Sequence, residues 1–265
     1  MKVILVGYGK MGRLLEAQFG AKGHQVLAVV EPSPPPAKTT PGGALVYASL
    51  GDALGGPAGK SLKDADAAIE FTGPDCAPGN LLFLAKENIP AVTGTTGWYD
   101  RLPEVSRAVR DAGAALLWSS NFSLGVNLFF RIAAHAAKLI DPFAEYDVAG
   151  FESHHNKKAD SPSGTAKTLA GHVLAGMTRK KKAVYEMLDR PPGADELHYA
   201  SVRVGAVPGT HSLFFDSPAD TIELTHTARS REGFAAGAVV AALWLTAKKR
   251  AGVFTMDDAL QEILP

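Results

Sequence analysis

Four potential cations, His154, His155, Lys157 and Lys158, stand immediately ahead of Asp160-Ser161-Pro162-Ser163-Gly164-Thr165. Imidazole and ammonium groups bind carboxylates, and desolvation lowers their pKa towards working pH, which suits proton transfer. Pro162 and Gly164 break the chain, and the pattern from Thr165 onward is helical. Ser163, Gly164 and Thr165 therefore form a helix start, with two hydroxyls and free N–H groups that suit a carboxylate. Asp160 reads as a cap or loop brace. The chemistry of the tract Glu152 to Ala166 is the binding and protonation of a small anion.

Other chemistries fit less well. Adjacent histidines lack a third Cys, His or acid at ligand spacing, so no metal site is expected. A Ser-His nucleophile scheme lacks the G-x-S-x-G elbow. For any one residue, a plain loop role with Ser163 as a simple N-cap stays open.

A second group could hold a dinucleotide. Gly7-Tyr8-Gly9-Lys10-Met11-Gly12 is G-x-G-x-x-G between an apolar run and an amphipathic stretch. Gly7 permits a tight turn, Gly9 lets a pyrophosphate approach the backbone, and Gly12 lets the helix pack closely. Glu31 follows the second apolar run at the spacing of an acid that bonds the adenosine ribose hydroxyls. It favours NADH, while Lys10 and Lys38 leave NADPH open. Thr72-Gly73 and Gly94-Thr95-Thr96-Gly97 follow later strand-like runs, where small residues let a nicotinamide and its ribose lie against backbone. Cys76 reads as a small buried side chain, with a place lining the cofactor cleft as the alternative.

The elements that position these residues alternate. Val3 to Val6, Gln25 to Val30, Ala67 to Phe71, Pro90 to Thr93 and Ala115 to Ser119 read as strands. Met11 to Phe19, Ala77 to Glu87 and Asp100 to Ala112 read as helices between them, and Ser123 to Ile140 as a long helix after them. Pro32 to Gly43, with Pro34, Pro35 and Pro36, reads as a solvated loop. This is an α/β pattern, a doubly wound parallel sheet. Beyond Ala144, strand-like runs at 146–151, 199–207, 212–215 and 221–227 surround a helix at about 165–175, giving an α+β second domain. Residues 234–248 and 256–264 are helical again, the last with Thr255 as N-cap. Arg179 to Lys182 reads as a solvated basic run. The division is 1–122 with 234–265 for the dinucleotide-binding domain and 123–233 for the substrate domain.

Composition limits the function classes. In 265 residues, 27 Lys and Arg balance 27 Asp and Glu, so no basic field favours nucleic acid or an anionic membrane. The single cysteine excludes a disulfide framework and suits a reducing compartment. No apolar stretch approaches the ~20 residues that span a bilayer, and a cytoplasmic location is expected.

The tract resembles the H-H-x-x-K-x-D-x-P-S-G-T-A signature of the 4-hydroxy-tetrahydrodipicolinate (dihydrodipicolinate) reductase family of lysine and diaminopimelate biosynthesis. Asn121-Phe122-Ser123-Leu124-Gly125-Val126-Asn127 is similar to its N-F-S-x-G-V-N segment, Gly94 to Gly97 to its G-T-T-G, and Ala242-Leu243-Trp244-Leu245 matches in kind and position. The resemblance implies NAD(P)H-dependent reduction of a small cyclic dicarboxylate with loss of water. It also implies His154 as the acid-base group, Lys158 as a proton donor, and His155, Gly164 and Thr165, with Ser163, as substrate ligands. Gly7 to Gly12, Glu31, Thr72, Gly94 to Thr96, Ser119, Ser120, Asn121 and Phe122 would contact the cofactor. It further implies C-terminal helices that rejoin the first domain and a homotetramer built through the substrate-domain sheets. Three features depart from the family pattern: the glycine motif is one residue short, Pro32 and Gly73 stand where arginines are common, and residues 183–197 are short. Another NAD(P)-dependent amino-acid dehydrogenase of this architecture is the alternative enzyme, and a non-catalytic dinucleotide sensor the alternative from another class.

Overall fold

A computed structural model describes residues 1–33, 38–56 and 62–264. Pro34, Pro35 and Pro36 lie outside the described residues. The chain forms two compact units, residues 1–123 with 231–265, and residues 124–230.

The first unit contains β1 (Lys2–Val6), α1 (Lys10–Ala21), β2 (Gln25–Val30), β3 (Leu45–Tyr47), α2 (Leu50–Gly55) and β4 (Ala67–Glu70). These are followed by α3 (Ala77–Lys86), β5 (Ala91–Thr93), a 3-10 turn (Tyr99–Arg101), α4 (Leu102–Asp111) and β6 (Ala115–Trp118). The second unit contains α5 (Leu124–Ile140), β7 (Asp147–His154), α6 (Gly164–Gly176), β8 (Lys182–Val184), β9 (Glu196–Arg203), β10 (Thr210–Asp216) and β11 (Thr221–Thr227). The chain then completes the first unit with α7 (Glu232–Ala247), β12 (Gly252–Thr255) and α8 (Met256–Ile263).

Among the described residues the first unit has a seven-stranded parallel sheet in the order β12-β6-β5-β4-β1-β2-β3. Its central strands are buried from end to end, as Val3 to Val6 and Ala67 to Glu70 show. Such continuous burial requires helices on both faces, hence the apolar rather than alternating runs. The strand order reverses between β1 and β4, so a crevice opens at their carboxyl ends. Gly7 and Thr72 lie at those ends. The edge strands β3 and β12 escape pattern reading because they span only three and four residues. Thr255 caps α8 in a reciprocal box with Asp258, and Arg250 lies 3.7 Å over the Trp244 ring while pairing with Glu262 at 2.6 Å.

The second unit has a mixed sheet in the order β11-β10-β7-β9-β8. Strand β10 is antiparallel to β7 and β11, whereas β7, β9 and β8 run parallel. Helices α5 and α6 contribute Phe129, Ala133, Leu169 and Val173 to a core that takes Tyr199, Leu213 and Phe215 from the sheet. Strand β7 alternates strictly, with Val148, Gly150, Glu152 and His154 on the buried side. A Cβ at Gly150 would lie 2.1 Å from the Tyr199 ring, so only glycine fits there.

One expectation is corrected. Arg179 to Lys182 is not simply solvated: Lys180 is 3% exposed, pairs with Asp147 at 2.5 Å and donates to the Glu196 carbonyl at 2.8 Å. Lys182 opens β8 and pairs with Glu196 at 3.0 Å. A charge run marks neither its pairing nor its place in a sheet.

Candidate active site

The glycine motif turns directly out of β1. Gly7 has φ +95°, and a Cβ there would lie 2.2 Å from the Phe71 carbonyl oxygen. A Cβ at Gly12 would meet the Gly7 carbonyl oxygen at 2.3 Å, whereas one at Gly9 meets nothing within 4 Å. Gly9 is the N-cap of α1 and no side chain caps that helix. The motif thus combines a tight turn, close packing and an open backbone face at a helix N-terminus, which fits a pyrophosphate.

Two cavities of about 470 Å³ each flank this turn. One is lined by Lys10, Met11, Thr95, Thr96 and Arg231, the other by Glu31, Pro32, Ser49, Cys76 and Asn80. They share Gly9, Phe71 and Thr72, so they form two halves of one groove with room for an extended dinucleotide. In the second half, Glu31 accepts from the Tyr8 N–H at 3.0 Å and the Ser33 N–H at 3.4 Å. The Tyr8 phenol is instead buried against Glu16, and burial followed by that carboxylate pushes it up to about 12. Cys76 is exposed in the groove rather than buried. Apolar neighbours along α3 disguise its position at the helix start.

In the first half, Gly94 passes beneath Phe71, whose ring would lie 2.2 Å from a Cβ. Phe71 in turn packs on buried Phe122, ring centroids 5.9 Å apart. Glu70, fully buried, accepts from the Thr72 N–H at 3.0 Å, the Thr93 hydroxyl at 2.5 Å and the Thr72 hydroxyl. The Thr72 N–H also reaches Thr95 Oγ1 at 2.9 Å. After β6, the Ser119 hydroxyl donates to the Asn121 carbonyl at 2.9 Å, and Asn121 Oδ1 accepts from the Ser123 N–H at 2.9 Å. Ser120 and Thr96 are exposed. Glu70 and Arg231 were not foreseen. An acid ending the run Ala67-Ala68-Ile69 was the available signal for Glu70.

The substrate tract begins earlier in the sheet than its loop-like residues imply, because β7 continues to His154. Glu152 and His154 share one face, and His154 Nδ1 lies 3.2 Å from Glu152 Oε2. Glu152 Oε1 accepts from the Ser163 N–H at 2.9 Å and from Arg203 Nη2 at 3.2 Å. Ser163 caps α6, its hydroxyl accepting from the Ala166 N–H at 3.1 Å. Gly164 and Thr165 follow as the first helical residues, the former exposed and the latter half-buried.

Lys158 pairs with Asp160 at 2.8 Å, and Arg203 donates to the Asp160 carbonyl at 2.5 Å, so Asp160 braces the loop. His155 is held through its backbone N–H to the Val207 carbonyl at 2.8 Å, while its buried Nδ1 has no hydrogen-bond partner among the described residues. Lys157 is exposed. Gly209, at φ +153°, leaves space beside the imidazole that a Cβ would fill, 2.8 Å from His154 Nε2.

Burial pushes His154 below its ordinary pKa, partly offset by the attraction of Glu152. Burial raises Glu152, but the donors on it, Ser163 first and then Arg203, outweigh burial and hold the carboxylate below its usual range. His211, from β10, lies 3.9 Å from Glu152 Oε2 and edge-on to His154, and burial lowers it to about 4. The fold thus brings Glu152 and a second imidazole, His211, beside His154, with ligating atoms within 4.8 Å of one another. Arg203 and Lys158 already bring positive charge here, so the group is a charge network. The arrangement can bind a carboxylate at the helix start and exchange a proton at His154.

Comparisons agree across the whole chain. The family described as dihydrodipicolinate reductase, N-terminus, matches residues 1–122, and that described as dihydrodipicolinate reductase, C-terminus, matches residues 125–260. The chain is 36% identical over 263 residues to a 4-hydroxy-tetrahydrodipicolinate reductase of Christiangramia forsetii, covering 99% of each chain. It is 35% identical over 271 residues to one of Laribacter hongkongensis, covering 98% of each. A dipicolinate-bound dihydrodipicolinate reductase from Paenisporosarcina sp. TG-14 shares the fold, with a TM-score of 0.76 at 21% identity over 100% of this chain and 99% of that one.

Proposed function

The chain belongs to the dihydrodipicolinate reductase family of NAD(P)H-dependent oxidoreductases, and on that premise we propose that it reduces 4-hydroxy-tetrahydrodipicolinate to tetrahydrodipicolinate with loss of water, in lysine and diaminopimelate biosynthesis. The observation that carries this reading is the buried Glu152–His154 pair beside the Ser163-capped start of α6. It offers one carboxylate site and one proton-transfer group, the two services a cyclic dicarboxylate needs.

In this reading Gly7, Gly9, Lys10, Met11 and Gly12 cradle the pyrophosphate, with Tyr8 contributing backbone, and Glu31 holds the adenosine ribose. Thr72, Gly94, Thr95, Thr96, Ser119, Ser120, Asn121 and Phe122 shape the nicotinamide end. When bound, the nicotinamide supplies the hydride. Residues 1–122 with 234–265 serve as the dinucleotide-binding domain and residues 123–233 as the substrate-binding and oligomerisation domain. Gly164 and Thr165 bind one carboxylate at the helix N-terminus, with buried Ser163 shaping that site because its N–H is taken by Glu152 and its hydroxyl caps the helix, and His155 and Lys158 face the other. Loss of the hydroxyl leaves a conjugated imine, and after reduction the resulting enamine needs a proton. His154 serves as the acid-base group and Lys158 as a proton donor.

NADH is the favoured cofactor, because the Glu31 carboxylate repels a 2′-phosphate and Pro32 and Gly73 supply no cation to receive one. The sheet face opposite α5 and α6 carries Phe151, Phe214 and the 43%-exposed Val202, which supports a homotetramer assembled through these sheets. Among the described residues no helix is long and apolar enough to cross a membrane, and a cytoplasmic location accords with the lone Cys76.

The test is consumption of NADH and NADPH in the presence of the product of the preceding synthase. Oxidation of either cofactor that depends on this substrate is expected, with NADH preferred. An enzyme inert with it, yet oxidising amino acids with NAD, would belong instead to the amino-acid dehydrogenases.

A further inference from the structure

Glu152, the acid of the pair named above, touches both His154 and the start of α6. It is fully buried. Oε1 is fixed by the Ser163 N–H, at the residue that caps α6, and by Arg203 from β9. Oε2 makes neither contact and lies 3.2 Å from His154 Nδ1 and 3.9 Å from His211 Nδ1. A buried carboxylate is costly unless its oxygens meet donors or cations; Oε2 and His154 Nδ1 are both buried without a hydrogen-bond partner among the described residues, so each is the other's nearest charge partner.

We propose that Glu152 is the positioning residue of the active site: it holds the helix start through one oxygen and sets the orientation and proton affinity of His154 through the other. The inference rests on the reading of His154 as the acid-base group. A carboxylate 3.2 Å from Nδ1 leaves Nε2 as the nitrogen turned away from it, and Nε2 is the atom beside the space that Gly209 keeps clear. A carboxylate beside an imidazole also favours the protonated ring, the form that donates. The charged and titratable groups that face His154 are Glu152 on its own strand, Lys158 and Asp160 in the following loop, Arg203 on β9 and His211 on β10. Lys158 and Arg203 oppose protonation, and Asp160 is itself paired with Lys158. Glu152 is therefore the main group that favours the protonated ring against burial and these cations.

The test compares wild type, Glu152→Gln and Glu152→Asp by the pH profile of kcat, by KM, and by binding of pyridine-2,6-dicarboxylate. Glu152→Gln keeps the shape and an acceptor for the Ser163 N–H but removes the charge. It is expected to lower kcat about tenfold or more while changing dicarboxylate affinity less than about threefold. The basic limb of its profile should move about one unit towards acid, the direction in which an imidazole moves on losing an opposite charge. Glu152→Asp should restore the position of that limb even where kcat stays reduced. Superimposable profiles for wild type and Glu152→Gln, with His154→Gln inactive, overturn the inference and leave the His154 reading intact. A wild type without reductase activity, or an active His154→Gln, overturns the reading itself.

Discussion

Ser163 and Glu152 meet at 2.9 Å, backbone N–H to carboxylate, across a chain separation of eleven residues. The contact joins the start of α6 to the buried face of β7. It places a helix N-terminus and an imidazole in one fixed frame.

Ser163→Ala removes the hydroxyl that caps α6 at the Ala166 N–H. A lost serine cap costs about 1 kcal/mol, and the frayed first turn should bind pyridine-2,6-dicarboxylate several-fold more weakly. Urea unfolding and calorimetric titration read the two effects. Unchanged ligand affinity with reduced stability would restrict Ser163 to capping.

Glu31→Ser removes the carboxylate that the Tyr8 and Ser33 N–H groups hold at the end of β2. The ratio of kcat/KM for NADPH to that for NADH should rise about tenfold or more, a change of about 1.4 kcal/mol. A constant ratio would dissociate Glu31 from cofactor choice.

Gly94→Ala forces a methyl group into the Phe71 ring. Overpacking of this kind costs about 1–3 kcal/mol. Displacement of Phe71 should weaken NADH binding by about tenfold, and pyridine-2,6-dicarboxylate binding should remain. Fluorescence titration with each ligand separates the outcomes, and normal NADH affinity would show that Phe71 does not shape the groove.

His211 gives the second unit a pH dependence of defined sign. Its pKa is about 4 when folded against an ordinary 6.5, so the unfolded chain binds the proton more readily. Its contribution is fully present above pH 6.5 and is lost as the pH falls from 6.5 towards 4, by roughly 3 kcal/mol at most. Urea midpoints at pH 7 and pH 4.5 should differ less in His211→Asn than in wild type. Equal differences would mean that His211 does not titrate in this window.

Much of the fold was legible because buried parallel strands write themselves as apolar runs and glycines mark the turns between them. Gly7 and Gly12 are required by steric contacts that sequence spacing already encodes. Short edge strands such as β3 leave too little pattern, and residues 147–154 carry both a strand and the first half of the substrate tract, which hid where β7 ends. The local part of the tract, Ser163 capping a helix two residues before Thr165, was readable for the same reason that caps are short-range. His211 and Arg203 were not, because only the sheet register brings β10 and β9 beside Glu152. Glu70 carried only a weak signal, an acid at the end of an apolar strand, because the three donors that explain it come from Thr72 and Thr93, held there by the fold.

The most direct test of the account is the turnover of His154→Gln and Lys158→Met, each measured with the product of the preceding synthase and saturating NADH. Both variants should lose kcat by about 100-fold or more, the scale of general acid catalysis, while NADH dissociation constants stay at the wild-type value. Near-normal turnover in both would contradict the assignment of proton transfer to this tract.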